Sequence, residues 1–306
     1  MVSVLTGGES LVSHAGGALL VEVARRSGLA KELLTRLGLW RHPLAVHDPG
    51  KIVGDLAIAV ALGGDAACDI AVLHAQPGVL GPVASDPTVS RLIARLAQDV
   101  DRALGAITGA RATARERVWD LTDAPVQDGQ VVIDLDATLV TAHSEKQDAT
   151  RTWKKTFGFH PLMAYADHGT GGGGEPVAEL LRPGRAGSNT AADHVVVLDG
   201  ALAQIPEPLR RRDEHGRVPV LVHTDAAGAT RQFAAHLAGL GVEFSVGASL
   251  GHFDIHAAFA LLPPSAYQAR KPRARQHGVQ IQPRDGACSP RSPPWSTCRP
   301  GRRAPG

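Results

Sequence analysis

Apolar residues recur at helical spacing across residues 16–40. Leu19, Leu20, Val23 and Ala24 form one stripe, and Leu33, Leu34 and Leu37 form another, so 16–40 is expected to be helical. Pro43 and Asp48-Pro49-Gly50 punctuate a turn. Lys51–Leu62 is apolar apart from Lys51 and Asp55, which predicts a buried helix that Gly63-Gly64 ends. A further helix is expected at Ser85-Asp86-Pro87, with Asp86 as N-cap and Pro87 in the first helical position. Val89, Leu92, Ile93, Leu96 and Val100 mark its apolar stripe, and Thr88, Ser90, Arg91 and Arg95 fall on its other faces. A polar N-terminal half after a turn suits a helix-turn-helix reader, and an ordinary amphipathic helix has the same pattern.

Beyond about residue 125 the period changes. Gln130–Asp136 is an apolar run closing on acids, Val218–His223 is a second run leading into Thr224-Asp225, and Val242–Val246 is a third. Val195–Leu198 reads equally as helix or strand, and Ala226–Leu240 as helix. Strands alternating with helices predict an α/β fold with a mixed or parallel sheet. The last stretch breaks the pattern: from Arg270 onward there are eight Arg, seven Pro and two Cys with almost no apolar periodicity. Such a segment cannot bury enough surface to offset its ordering entropy. The expected organisation is a helical region 1–125, an α/β domain 126–268 and a disordered Arg/Pro-rich tail 269–306, the last in the manner of sequence read out of frame.

Composition narrows the picture only slightly. With 43% hydrophobic and 20% charged residues in 306, the chain has material for a core and is not disordered throughout. A net charge of +2 says little about partners. Three cysteines exclude a disulfide framework and a four-cysteine zinc site, which makes a reducing cytoplasm the expected setting. No leader pattern and no long uncharged apolar run predict a membrane association.

The chemistry concentrates at strand ends. Val131-Val132-Ile133-Asp134-Leu135-Asp136 and Val220-Leu221-Val222-His223-Thr224-Asp225 each deliver a carboxylate to the carboxyl edge of a sheet, where α/β sites form. Asp136 and Asp225 together could hold one Mg²⁺ or a pair of them, because Mg²⁺ takes hard oxygen ligands and keeps several waters. Two such ions suit phosphodiester cleavage. The plainer alternative is that both aspartates cap turns. Asp134 and Asp136 share a face by strand alternation, so both are candidates. Lys154 and Lys155 beside Trp153, with Arg182 and Arg185 further on, suit DNA phosphates as well as they suit a solvated basic surface. His252, Asp254 and His256 would share one face of a strand like metal ligands, though a loop explains them equally. Gly169–Gly174 lacks the Lys-Ser/Thr of a phosphate loop and reads as a flexible connection.

Ile133–Val140 (IDLDATLV) also matches the DxDxT motif of haloacid dehalogenase-like phosphatases, with Asp134 as nucleophile and Asp136 as acid. The late acidic pair of those enzymes has only Asp225 to represent it.

The wider set of motifs resembles the DDE transposases of bacterial insertion sequences, specifically the IS-thirteen-eighty group. The resemblance rests on DLDATLVTAHSEKQDA (134–149), TWKKTFGFHPLMAYADHG (152–169), LLRPGRAGSNTAADHV (180–195) and VHTDAAGATRQF (222–233). Upstream, DPGKIVGDLAIAVALGGDAACDIAVL (48–73) and GPVASDPTVSRL (81–92) resemble the helical region before the catalytic domain. The resemblance spans about 10–268. It implies an RNase H-like catalytic domain with a mixed sheet, preceded by a helical DNA-binding region. It also implies Mg²⁺ at a two-ion site, with Mn²⁺ able to substitute, and cleavage and strand transfer of DNA at the ends of the element and at its target. Asp136 then matches the first acid, with Asp134 as the fallback, and Asp225 the second. The implied partner is DNA, with self-association left open, and the implied setting is the nucleoid. The third acid, a Glu on a late helix, is expected well beyond residue 268. After Asp225 only Glu243, Asp254 and Asp285 follow, none in a matching motif. The chain is therefore expected to be a truncated or frameshifted transposase that is weakly active or inactive, or a catalytically dead remnant that still binds DNA.

Overall fold

A computed structural model of the chain describes residues 16–142, 146–169, 173–188, 190–247 and 261. Asn189, the 252–256 His/Asp group, Asp285 and the 269–306 tail lie outside the described residues.

The helical part comprises α1 (Gly17–Arg26), α2 (Leu29–Leu37), α3 (Pro49–Ala61), the single turns α4 (Ala71–His74) and α5 (Pro77–Leu80), α6 (Asp86–Leu96) and α7 (Val100–Thr122). Asp48 caps α3, its carboxylate accepting from the Gly50 N–H at 2.8 Å, and Pro49 needs no partner at the first position. Two expectations need correction here. The α3 segment is apolar nearly all round, yet only one face is buried, through Ile52, Asp55 and Ala59, while Val60 is 63% exposed. In α6 the cap position belongs to Ser85, one residue earlier than expected, and Asp86 enters the first turn. The apolar stripe is also narrower than the sequence suggested. Val89 and Leu92 are buried, Ile93 is exposed, and Val100 starts the next helix after a 3-10 turn at Ala97–Asp99.

The second part runs β1 (Val126–Gln127), β2 (Gln130–Ala137), β3 (Val140–Thr141), β4 (Thr150–Arg151), β5 (Phe157–Phe159), β6 (Leu162–Asp167), β7 (Gly174–Leu180), α8 (Ala191–Gln204), β8 (Val218–Thr224), α9 (Arg231–Leu240) and β9 (Val242–Val246). The main sheet has the order β7-β6-β2-β8-β9, with β1 paired to β2. β2, β6 and β7 are antiparallel neighbours, whereas β8 lies parallel to β2 and β9 parallel to β8. The sheet is thus mixed and the fold α/β. Val195–Leu198 lies within α8, which resolves that ambiguity in favour of helix. The expected helix 226–240 is broken: a 3-10 turn at Ala226–Gly228 precedes α9, which Thr230 starts by accepting from the Phe233 N–H at 3.2 Å. That hydroxyl offers the backbone an alternative to continuing one helix.

Alternation sets the layers. Val131, Ile133 and Leu135 of β2 are buried with Val197 and Leu198 of α8 and Phe233 and Leu237 of α9. Val132, Asp134 and Asp136 therefore occupy the opposite face of the strand. α7 joins the two parts. Ala103 and Ala110 pack with Leu33 and Leu37, and Trp119 enters the core of the sheet. The Arg115 guanidinium, pulled below its ordinary pKa chiefly by burial, donates to Glu175 and to Gln204, each at 2.6 Å. Residues through Gly247 belong to one compact unit.

Candidate functional site

β2 and β8 run side by side in register, with Asp134 opposite His223 and Leu135 opposite Thr224. Asp136 and Asp225 are the next residue on each strand, Asp136 still within β2, where it pairs with Met163 of β6, and Asp225 just past the end of β8. Both are exposed and both line one cleft of about 510 Å³, with Lys154, Arg185, His160 and His194 also in its wall. Neighbouring parallel strands, one carrying an aspartate near its end and the other followed by one, are what bring these carboxylates together.

The two acids are held differently. Asp225 Oδ1 accepts from the Ala227 N–H at 2.8 Å and caps the 3-10 turn, so the capping role is real. That bond uses one oxygen and leaves the other for a ligand. Behind it the turn is packed tightly: a Cβ on Gly228 would lie 2.4 Å from the Thr224 side chain. Asp136 Oδ1 accepts from the Ala137 N–H at 2.8 Å. The donor set is two hard carboxylates without thiolate, which fits Mg²⁺ or Mn²⁺. Among the described residues, no group of three or more His, Cys, Asp or Glu side chains is arranged to hold a metal.

Asp134 is separate from this pair. Its Oδ1 is 2.8 Å from His223 Nδ1, and it is absent from the wall of the cleft. Glu243, on β9, approaches Arg217 at 4.0 Å.

The basic candidates divide. Lys154 and Lys155 are exposed in the β4–β5 turn, with Lys154 Nζ 5.0 Å from the centre of the Trp153 ring. Arg185 sits in the cleft wall. Arg182 is not on the surface: it is 4% exposed, and it donates to the carbonyls of His160 (2.9 Å) and Gly187 (3.2 Å) and to Asp193 (3.0 Å). Its charge ties the 182–193 segment to the sheet, which corrects its expected place among surface DNA contacts. In the helical part, Ser90, Arg91 and Arg95 are exposed. Arg91 and Arg95 border a second cleft of about 520 Å³ with His42 and His47, although Arg95 also donates to the Trp40 carbonyl at 2.9 Å.

Sequence reasoning missed His160 and His194. His160 is buried, its Nδ1 3.1 Å from the Ala186 carbonyl, and His194 is buried against Phe233 with its Nδ1 2.9 Å from the Thr190 carbonyl. Neither lies in a run with a recognisable period, so nothing local marked them.

A sequence profile described as Transposase DDE domain group 1 matches residues 1–287, a stretch that runs past residue 269. No curated protein matches the chain. Among solved structures, the chain is similar to the cryo-EM structure of a piggyBac transposase synaptic complex with hairpin DNA. The identity is 10% and the TM-score 0.40, over 80% of this chain and 53% of that one, so the chain spans about half the length of that protein. No described helix is long and apolar enough to cross a membrane.

Proposed function

The chain belongs to the family of transposases that carry a DDE domain, and from that premise we propose that it cuts and joins DNA phosphodiesters at the Asp136–Asp225 cleft. The carrying observation is the delivery of both aspartates, by adjacent parallel strands, into one cleft with Lys154 and Arg185 in its wall. Asp136 and Asp225 would hold Mg²⁺, or Mn²⁺ in its place, as a two-ion site. When bound, the metal supplies activation of a water and then of a 3′-hydroxyl, and stabilises the leaving oxygen. Lys154, Lys155 and Arg185 position the phosphate backbone beside the acids.

The strand order supports an RNase H-like reading of this domain: three antiparallel strands, then two parallel ones added beside the first. The α6 helix is the proposed reader of the ends of the element, through Ser90, Arg91 and Arg95 at its exposed face, as in a helix-turn-helix unit. Residues 1–125 and 126–268 then divide DNA recognition from catalysis. The third carboxylate of the family comes, in this reading, from outside the described residues. Because no acid after Asp225 stands in a matching motif, these 306 residues are expected to cut weakly or not at all, and the binding role of the helical part stands apart from cleavage. The phosphatase alternative loses support, because His223 engages the Asp134 carboxylate and no second acid adjoins Asp225 along the sequence.

The test is a nicking assay on DNA carrying the element ends, with Mg²⁺ or Mn²⁺. Any cleavage should vanish in both Asp136→Ala and Asp225→Ala. Cleavage that survives either change, or turnover of an aryl phosphate that depends on Asp134, would reject the assignment.

A further inference from the structure

The acidic cleft has an aromatic rim that metal chemistry leaves unused. Trp153 is 71% exposed, whereas Trp40 and Trp119, the other described tryptophans, are 8% and 4% exposed. The Lys154 ammonium lies 5.0 Å from the centre of the Trp153 ring. Trp153 lines the same cleft as Asp136 and Asp225.

Its position is fixed by the hairpin that carries it. β4 and β5 pair through Thr150↔Gly158 and Arg151↔Phe157, so Trp153 and Lys154 stand at the tip of the turn. Thr152 and Thr156 close the turn with a backbone bond of 2.8 Å and a hydroxyl contact of 2.6 Å. Lys155 takes the left-handed conformation, φ 64°, that ends such a turn. The base of the hairpin is clamped as well. The Gly184 N–H donates to the Gly158 carbonyl at 3.0 Å, and the Arg185 N–H to the Thr150 hydroxyl at 2.9 Å. A rigid indole loses little freedom on binding, which makes it an effective platform.

We propose that Trp153 stacks on an unpaired base of the DNA strand whose phosphate enters the Asp136–Asp225 cleft, with Lys154 holding the phosphate next to that base. The proposal rests on the DNA-processing reading above. A flat aromatic face accepts any base, because every base has a π-face, and a neighbouring cation adds backbone attraction. The surface therefore selects locally unpaired DNA over intact duplex without reading sequence.

The test uses the full chain without added metal, and two probes: a blunt 30-base-pair duplex, and the same duplex ending in four unpaired thymidines with one 2-aminopurine among them. The wild-type chain is expected to bind the frayed probe about tenfold more tightly, within the range for one base stacked on an aromatic side chain, and to quench the 2-aminopurine. Trp153→Ala should abolish that preference and the quenching while leaving blunt-duplex affinity and the melting temperature unchanged. Trp153→Phe should restore most of the preference, and Lys154→Ala should weaken both probes alike. Equal binding of both probes by the wild type, or a preference retained in Trp153→Ala, overturns the stacking role and leaves the DNA-processing reading intact. Failure to bind either probe overturns both.

Discussion

Arg182 offers the sharpest separation of scaffold from DNA contact, because sequence placed it with the phosphate binders and the fold buries it. In Arg182→Met the His160 and Gly187 carbonyls and the Asp193 carboxylate lose their donor together. The His160 carbonyl bond is fully buried, and a buried acceptor left unpaired costs on the order of 1–3 kcal/mol. Asp193, with 26% of its side chain exposed, recovers part of its hydration. Arg182 Nη2 is buried without a hydrogen-bond partner among the described residues, so removing this guanidinium also relieves some desolvation. Together these terms give a net loss of about 3 kcal/mol. At roughly 2–4 °C per kcal/mol for a unit of this size, the melting temperature should fall by about 6–12 °C. Calorimetric melts measure that fall. DNA affinity as a function of salt measures the other half of the argument. Arg182→Met should leave the log–log slope unchanged, whereas Lys154→Ala or Arg185→Ala should reduce it by about 0.9, one phosphate contact each. If Arg182→Met melts within about 1 °C of the wild type and loses one unit of slope, the side chain faces DNA and the scaffold argument is wrong.

Other consequences follow from the same geometry. Asp225→Asn keeps the turn cap, since asparagine caps as well as aspartate, so it should melt like the wild type while losing any Mn²⁺-induced rise in melting temperature; an unchanged rise would place the metal elsewhere. Gly158→Val puts a side chain where a Cβ meets the Val140 carbonyl at 2.0 Å, at φ 154°. Urea unfolding should register a loss of about 2 kcal/mol or more, and an unperturbed midpoint would contradict that packing. Acid should destabilise the chain through carboxylates held below their ordinary range. Hydrogen bonds from Arg25 and Arg26 hold Glu22 at about 2, backbone N–H donors lower Asp69 and Asp213, and Arg211 lowers Glu207. Each depressed carboxylate contributes stability above its unfolded value that is lost as pH falls, so melts should soften from about pH 4 downward and, for Glu22, on toward about 2. A melting temperature flat from pH 5 to pH 2, within about a degree, would refute this linkage.

Much of this protein was legible locally. The runs ending at Asp136 and Asp225 specify strands with acids at or just past their ends, because a short Val/Ile/Leu run followed by a polar break needs no distant information. The Asp48-Pro49 start of α3 and the start of α6, to within one residue, are equally local. Tertiary structure decided the rest. Strand alternation puts Asp134 and Asp136 on one face, but only the pairing of β2 with β8 sets His223 against Asp134 and leaves Asp136 beside Asp225. Arg182 and Lys154 are both basic residues in polar surroundings along the chain. The fold alone buries one under the 182–193 segment and lifts the other to a hairpin tip. The antiparallel strands β6 and β7 and the ambiguous Val195–Leu198 were settled the same way, by which neighbour each backbone finds. Local sequence sets the conformation available to a segment. Its burial and its partners depend on chain brought back from tens of residues away, and with them the side chains that meet at the cleft.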